Sequence, residues 1–324
     1  MTSLAPLLVM LASAAAQPDV YFITIDTIRA DRLGFYGFEF NTSPNLDALA
    51  EKSRVFDNAV CEVPLTAPSF GAMLSSRYPR LTGMTRNGIR MPEHVPLVQE
   101  RFQDAGYETI CIQSNWTLKK DLSALDRGFD HYDDTFKQRR WIFFTSERDA
   151  DDVTDLALDA IANRDPDKPL FAWIHYSDPH APYHSHRKFP VARGFENPDR
   201  RTEKVNRRYA SEIAFTDDQI GRVLDVIPKD NAYVVFVGDH GESLYEHDYL
   251  GHGRHVYQPG MHIPLFIHGP GIEPGRDARD VRGIDIGPTL LALAGLQTTD
   301  TMLGRDINGL WTQDLRPRVV ETYG

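Results

Sequence analysis

Two cysteines in 324 residues, Cys61 and Cys111, are too few for a disulfide framework, and they show no Cys/His spacing of a structural zinc module. They leave open one disulfide in an oxidising compartment or two buried thiols. Excess positive charge is also missing. With 46 acidic against 35 basic side chains the formal net charge is −11, so the chain lacks the basic face that general nucleic-acid binding requires. No apolar run is long enough to anchor stably across a bilayer. Glycine (23) and proline (21) are scattered at ordinary density, which excludes collagen-like and disordered classes. Internal repeats and low-complexity tracts are absent. What remains is a chain with 41% hydrophobic residues, enough to bury a substantial core.

The segment 1–17 joins a short apolar stretch to small residues of the Ala-x-Ala type, without a Lys or Arg ahead of it. It reads as a secretory signal, which places the remainder, 18–324, in the periplasm or outside the cell as one domain. Strand-like runs at Val20–Ile25, Glu108–Ile112, Leu170–His175, Ala232–Val237 and Pro264–Ile267 alternate with helical patterns. The helices are expected at Ser43–Ala50, Pro68–Ser76, Leu97–Ala105, Ala150–Ala162, Asn206–Val226 and Ile286–Ala294. Gly106 and Gly295 supply stop signals for two of them. This alternation predicts an α/β fold, a mostly parallel central sheet flanked by helices. The stretch from Ala181 to Arg208 is rich in Pro, Arg and Lys and reads as a solvated surface excursion.

Chemistry gathers at strand ends. The run Tyr233–Val237 delivers Asp239 and His240, and a second run ends on Asp26. In open α/β sheets ligands collect at the carboxyl edge, and two Asp with a His suit a divalent ion such as zinc or manganese. A third run ends in His175-Tyr-Ser-Asp-Pro-His180. Thr66 stands at the start of a helical pattern, where free backbone N–H groups favour an anion. A hydroxyl beside a metal is pushed towards alkoxide, so a Thr alkoxide attacking a tetrahedral oxyanion ester is a coherent reaction.

These residues resemble the sulfatase family within the alkaline phosphatase superfamily. The matching segments run in the family's order from Ile23-Thr-Ile-Asp-Thr-Ile-Arg-Ala-Asp-Arg-Leu-Gly34 and Thr42-Ser-Pro-Asn45 to Thr66-Ala-Pro-Ser-Phe70 and Asp178-Pro-His-Ala-Pro-Tyr183. They continue through Gly238-Asp-His-Gly-Glu242, Gly251-His-Gly253 and Ile263-Pro-Leu-Phe-Ile-His-Gly-Pro-Gly271. The resemblance implies an alkaline phosphatase-like fold and a centre holding one or two divalent ions (calcium, manganese or zinc). It implies Asp26, Asp239, His240 and Thr66 as metal ligands, with Thr66 as nucleophile and His180 as a substrate-binding or proton-donating residue. His252, Thr27 and Asn115 are further candidates, and Arg29 is a weaker one. The small C-terminal subdomain usual in the family is expected to be missing or vestigial.

Two departures bear on the substrate. Sulfatases carry a Cys or Ser, oxidised to formylglycine, within Cys-x-Pro-x-Arg; here the pattern reads Thr66-Ala-Pro-Ser-Phe70, without the oxidisable residue or the Arg. Where many sulfatases show Gly-Lys-Trp-His, this chain has Ser114-Asn-Trp-Thr117. Thr nucleophiles are typical of superfamily members that handle phosphate. The expectation is therefore hydrolysis of a phosphate or phosphonate ester, small or envelope-derived, with sulfuric ester hydrolysis as the family-level alternative. Phosphoryl transfer to an acceptor, or metal binding without turnover, are the other readings.

Overall fold

The computed structural model describes residues 17–136, 148–191, 199–309 and 319–322. All but the last residue of the expected leader lie outside this range, as does part of the basic excursion.

Eight strands form the main sheet: β1 (Asp19–Ile25), β2 (Arg54–Val60), β3 (Glu108–Ile112), β4 (His131–Asp133), β5 (Leu170–Tyr176), β6 (Ala232–Gly238), β9 (Leu265–His268) and β10 (Gly275–Arg282). The two-residue strands β7 (Ser243–Leu244) and β8 (Leu250–Gly251) make a separate small ribbon. The order across the main sheet is β10-β2-β9-β6-β1-β5-β3-β4. Every pairing is parallel except those of β9, which runs against both β2 and β6.

The central strands are apolar throughout because helices cover both of their faces. Along β1, Val20 and Phe22 enter one core, and Tyr21, Ile23 and Ile25 enter the other. The first core is closed by the helices Thr66–Ser75, Val98–Asp104 and Ile286–Leu293, and the second by Pro44–Ala50, Ala150–Ala162 and Arg200–Leu224.

The long helix begins six residues earlier than the apolar periodicity suggests. Asp199 caps it, its carboxylate accepting from Thr202 N at 3.1 Å, so its first turns form without apolar residues. The Thr66–Ser75 helix likewise takes in Thr66, since proline is tolerated in a first turn. Strands β2, β4 and β10 escape a hydrophobicity reading. β10 (Gly-Arg-Asp-Ala-Arg-Asp-Val-Arg) is a charged edge strand, and such charge keeps sheet edges from pairing with other chains. Among the described residues no helix is long and apolar enough to cross a membrane.

Candidate active site

β1 and β6 are neighbours with Ile25 opposite Gly238, so the next residues, Asp26 and Asp239, leave the sheet side by side. Candidate ligand atoms of Asp26, Asp239 and His240 all lie within 4.8 Å of one another, and the three side chains are fully buried. His240 Nε2 stands 3.4 Å from Asp239 Oδ2 and 3.7 Å from Asp26 Oδ1. Its Nδ1 faces the Gly241 carbonyl at 3.0 Å, and a carbonyl only accepts, so Nδ1 carries the proton and Nε2 offers a lone pair to the cluster.

The surrounding chain fixes these groups. Asp239 Oδ1 accepts from the amides of Thr27 (3.1 Å) and His240 (2.7 Å), which aims Oδ2 inward. Thr27 holds left-handed backbone (φ 53°) in presenting that amide. The Tyr209 hydroxyl bridges this turn, donating to Thr27 O (2.7 Å) and accepting from Arg29 N (3.0 Å). Ser69, one turn after Thr66, donates to Asp239 O at 2.7 Å and ties the helix to the loop after β6.

Asp26 Oδ1 and Asp239 Oδ2 are buried with no hydrogen-bond partner among the described residues. Burial, and then the neighbouring Asp26, push the Asp239 carboxyl well above the usual carboxylate range. Burial pushes His240 down and leaves its Nε2 basic site free of a proton. Two converging carboxylate oxygens and an imidazole lone pair fit a divalent cation, whose charge would offset the carboxylate repulsion.

Thr66 Oγ1 lies 3.5 Å from Asp26 Oδ2 and 3.4 Å from His240 Nε2, at the mouth of the same cluster. The helix start is less open to anions than expected, because the Ala67 amide already donates to Asn87 and residue 68 is proline. Opposite lies an imidazole pair: His252 Nε2 is 3.3 Å from His180 Nε2, and the His252 ring lies 4.5 Å from that of His240. His252 Nδ1 faces Pro64 O at 3.1 Å, so it too carries its proton on Nδ1. Burial, then His240 and His180, press His252 down to about 3.

Asn115 donates to Asp26 Oδ2, a direct contact that its sequence position only hinted at. Thr117 does not reach Asp26 in that way and instead donates to Asn115 Oδ1 from both N and Oγ1. Thr27 engages the cluster through its backbone amide. Arg29 turns its guanidinium to Asp31, Glu246 and the Glu242 carbonyl. His175 is buried against Phe70 and bonds Thr24 Oγ1, as a core histidine should. Ser69 and Tyr209 were not singled out from sequence. Ser69 stood inside the Thr66 segment, whereas nothing local marks Tyr209.

The family model described as Sulfatase matches residues 18–296. The chain belongs to the sulfatase family. It is 23% identical to the uncharacterized sulfatase YidJ of Escherichia coli, over 90% of this chain and 70% of that one. It is 26% identical to an ulvan-active sulfatase of Formosa agariphila, over 91% of this chain and 65% of that protein. The fold is similar to a structure solved with its substrate D-glucosamine-2-N,6-O-disulfate (TM-score 0.76, 19% identity, 90% of this chain, 79% of that one). It is also similar to a phosphonate monoester hydrolase of Silicibacter pomeroyi (TM-score 0.72, 21% identity, 93% and 78%). The sheet between helical layers is thus the fold of this family.

Proposed function

We propose that this sulfatase-family ester hydrolase cleaves an anionic ester by nucleophilic attack from Thr66, with the Asp26–Asp239–His240 cluster as its metal centre. The observation that carries the reading is the convergence of two unpartnered buried carboxylate oxygens, a lone-pair nitrogen and a hydroxyl on one point. Relatives named as sulfatases weigh the ester towards sulfate. A phosphonate or phosphate ester is the second reading, favoured by the unoxidisable Thr66 and by the similarity to a phosphonate monoester hydrolase.

A divalent cation held by Asp26, Asp239 and His240 would supply positive charge to a non-bridging oxygen of the ester. The remaining steps belong to the chain. The Thr66 hydroxyl gives its proton towards Asp26 Oδ2, and its oxygen bonds the sulfur or phosphorus as the bond to the leaving alcohol breaks. Because Nδ1 of His252 is protonated, the contact between the two Nε2 atoms requires the proton to sit on His180. His180 Nε2–H thus points at His252 Nε2, and turning from there to the departing alkoxide would make it the proton donor. Water then attacks the sulfur or phosphorus of the Thr66 ester and gives a proton to His180, while the departing Thr66 oxygen takes back the proton held at Asp26 Oδ2 and the anion is released.

The short apolar segment at the start of the chain supports a periplasmic or secreted setting. The test of the reading is turnover of p-nitrophenyl sulfate, p-nitrophenyl methylphosphonate and p-nitrophenyl phosphate by metal-replete protein beside Thr66→Ala. Turnover of one of the first two, lost in the variant, is the expected result. Turnover that survives the variant would point to direct attack by water.

A further inference from the structure

The metal centre makes no use of the basic excursion between Ala181 and Arg208. Its two walls are the segment 185–191 and the start of the Arg200–Leu224 helix, and hydrogen bonds tie them together. His186 N donates to Ser211 Oγ, which donates to Phe189 O, and Arg207 Nε donates to Val191 O. Glu212 accepts from His184 N and faces His186 Nε2. Between the joined walls lies a groove of about 970 Å³. Among the described residues its charged lining is Arg187, Arg200, Lys204, Arg207 and Arg208 against one carboxylate, Glu203.

This charge is not balanced locally. Among the described residues the side chains of Arg187, Arg200, Lys204 and Arg208 have no ion pair or hydrogen bond, although Arg208 is half-buried. Glu212, the next acid along the wall, is engaged by His184 and His186. Arg200, Lys204 and Arg208 recur every four residues and so share one face of the helix, where like charges repel. Arg200, at the first helical position, also opposes the positive end of the helix dipole. A chain of net charge −11 has acids to spare, yet it sets only Glu203 in this groove. Local rules broken without internal compensation mark a surface whose counter-charge comes from outside.

We propose that this groove docks an anionic polysaccharide, a chain carrying sulfate or carboxylate groups at intervals. From Arg200 to Arg208 the stripe runs about 12 Å along the helix, more than one small anion covers. Single-stranded nucleic acid needs free aromatic rings on which its bases stack. The one ring among the described lining residues, His186, is already stacked on Phe215 at 4.1 Å. A bilayer surface is flat and is gripped by protruding apolar side chains, whereas these cations line a concavity and Val191 is buried. The site lies outside the metal centre and does not depend on that centre's chemistry.

The test is calorimetric titration of the full chain with dextran sulfate, neutral dextran, oligothymidylate and phosphatidylglycerol vesicles. Dextran sulfate is expected to bind, more weakly as salt rises, and neutral dextran not to bind. Arg187→Gln, Arg200→Gln, Lys204→Gln and Arg208→Gln combined should weaken that binding at least about tenfold. Thr66→Ala should bind dextran sulfate as the wild type does. In the wild type, bound dextran sulfate should protect Lys204 from acetylation and leave the exposed Lys168 and Lys229 reactive, a readout that needs no variant. No binding of dextran sulfate, undiminished binding by the folded quadruple variant, or an unprotected Lys204 overturns the proposal. A loss of binding in Thr66→Ala would overturn it too, by assigning the polymer to the metal centre. Tighter binding of oligothymidylate or of the vesicles would overturn the choice of partner.

Discussion

Asp239 carries the sharpest conflict at the scale of single residues, a carboxyl buried beside a second carboxyl with its inward oxygen unpartnered. Such a group costs stability in the metal-free protein and favours the metal-bound one, and the two effects separate on mutation. Asp239→Asn is expected to lower divalent-metal affinity by about a hundredfold or more, since loss of even a supporting partner costs 10–100-fold. It is also expected to raise the melting temperature of chelator-treated protein. Calorimetric metal titration and thermal unfolding in chelator check the two halves; a fall in both would contradict the account. Asp26, Asp239 and His240 were legible in the sequence because strands end in fixed directions and polar residues at an apolar run's end face the same edge. Tyr209 was not, since its bonds to Thr27 and Arg29 span about 180 residues and leave no local pattern.

At the scale of elements, the position of Thr66 depends on how deeply its helix beds against its neighbours. Gly287, in the Ile286–Leu293 helix, approaches the Thr66–Ser75 helix so closely that an added Cβ would lie 2.6 Å from Met73 O. Backbone cannot yield as a side-chain tip does. Gly287→Ala is therefore expected to destabilise by about 1–3 kcal/mol, the usual range for overpacking, measured by urea unfolding, and to reduce turnover by displacing Thr66. A neutral or stabilising effect would show that the two helices have slack. The buried parallel strands and the amphipathic helices were readable because their periodicity reports burial. The charged β10 and the three-residue β4 were not, because edge strands need no apolar faces and pair only once their neighbours exist. The reversed β9 was placed as a strand, but its direction follows from a long-range pairing that no local run encodes.

Across the whole molecule, stability should respond to pH through Glu62, buried after β2. Burial first, then Asp285, push its carboxyl to about 8, against an ordinary 4.5, despite the bond from Ile284 N. The folded state thus holds this proton in the interval between those values while the unfolded chain has released it. Stability is full at acid pH and falls as pH rises from about 4.5 to about 8, by an amount on the order of a few kcal/mol. Glu62→Gln keeps an acceptor for Ile284 N and should flatten this slope in unfolding measurements across pH. A slope unchanged by the substitution would refute the assignment. The two cysteines are buried free thiols, Cys111 within β3 and Cys61 just beyond β2, which settles the choice the sequence left open between a bridge and two thiols. Both should resist thiol reagents until the protein unfolds.

The central claim is that Thr66 forms the covalent intermediate at this centre. Acid-quenched turnover of p-nitrophenyl sulfate and p-nitrophenyl methylphosphonate, followed by peptide mass spectrometry, tests it most directly. A sulfuryl or phosphonyl group on the peptide carrying Thr66, lost in Thr66→Ala together with turnover, is the predicted result. A transferred group on another residue, or turnover undiminished in Thr66→Ala, would contradict the account.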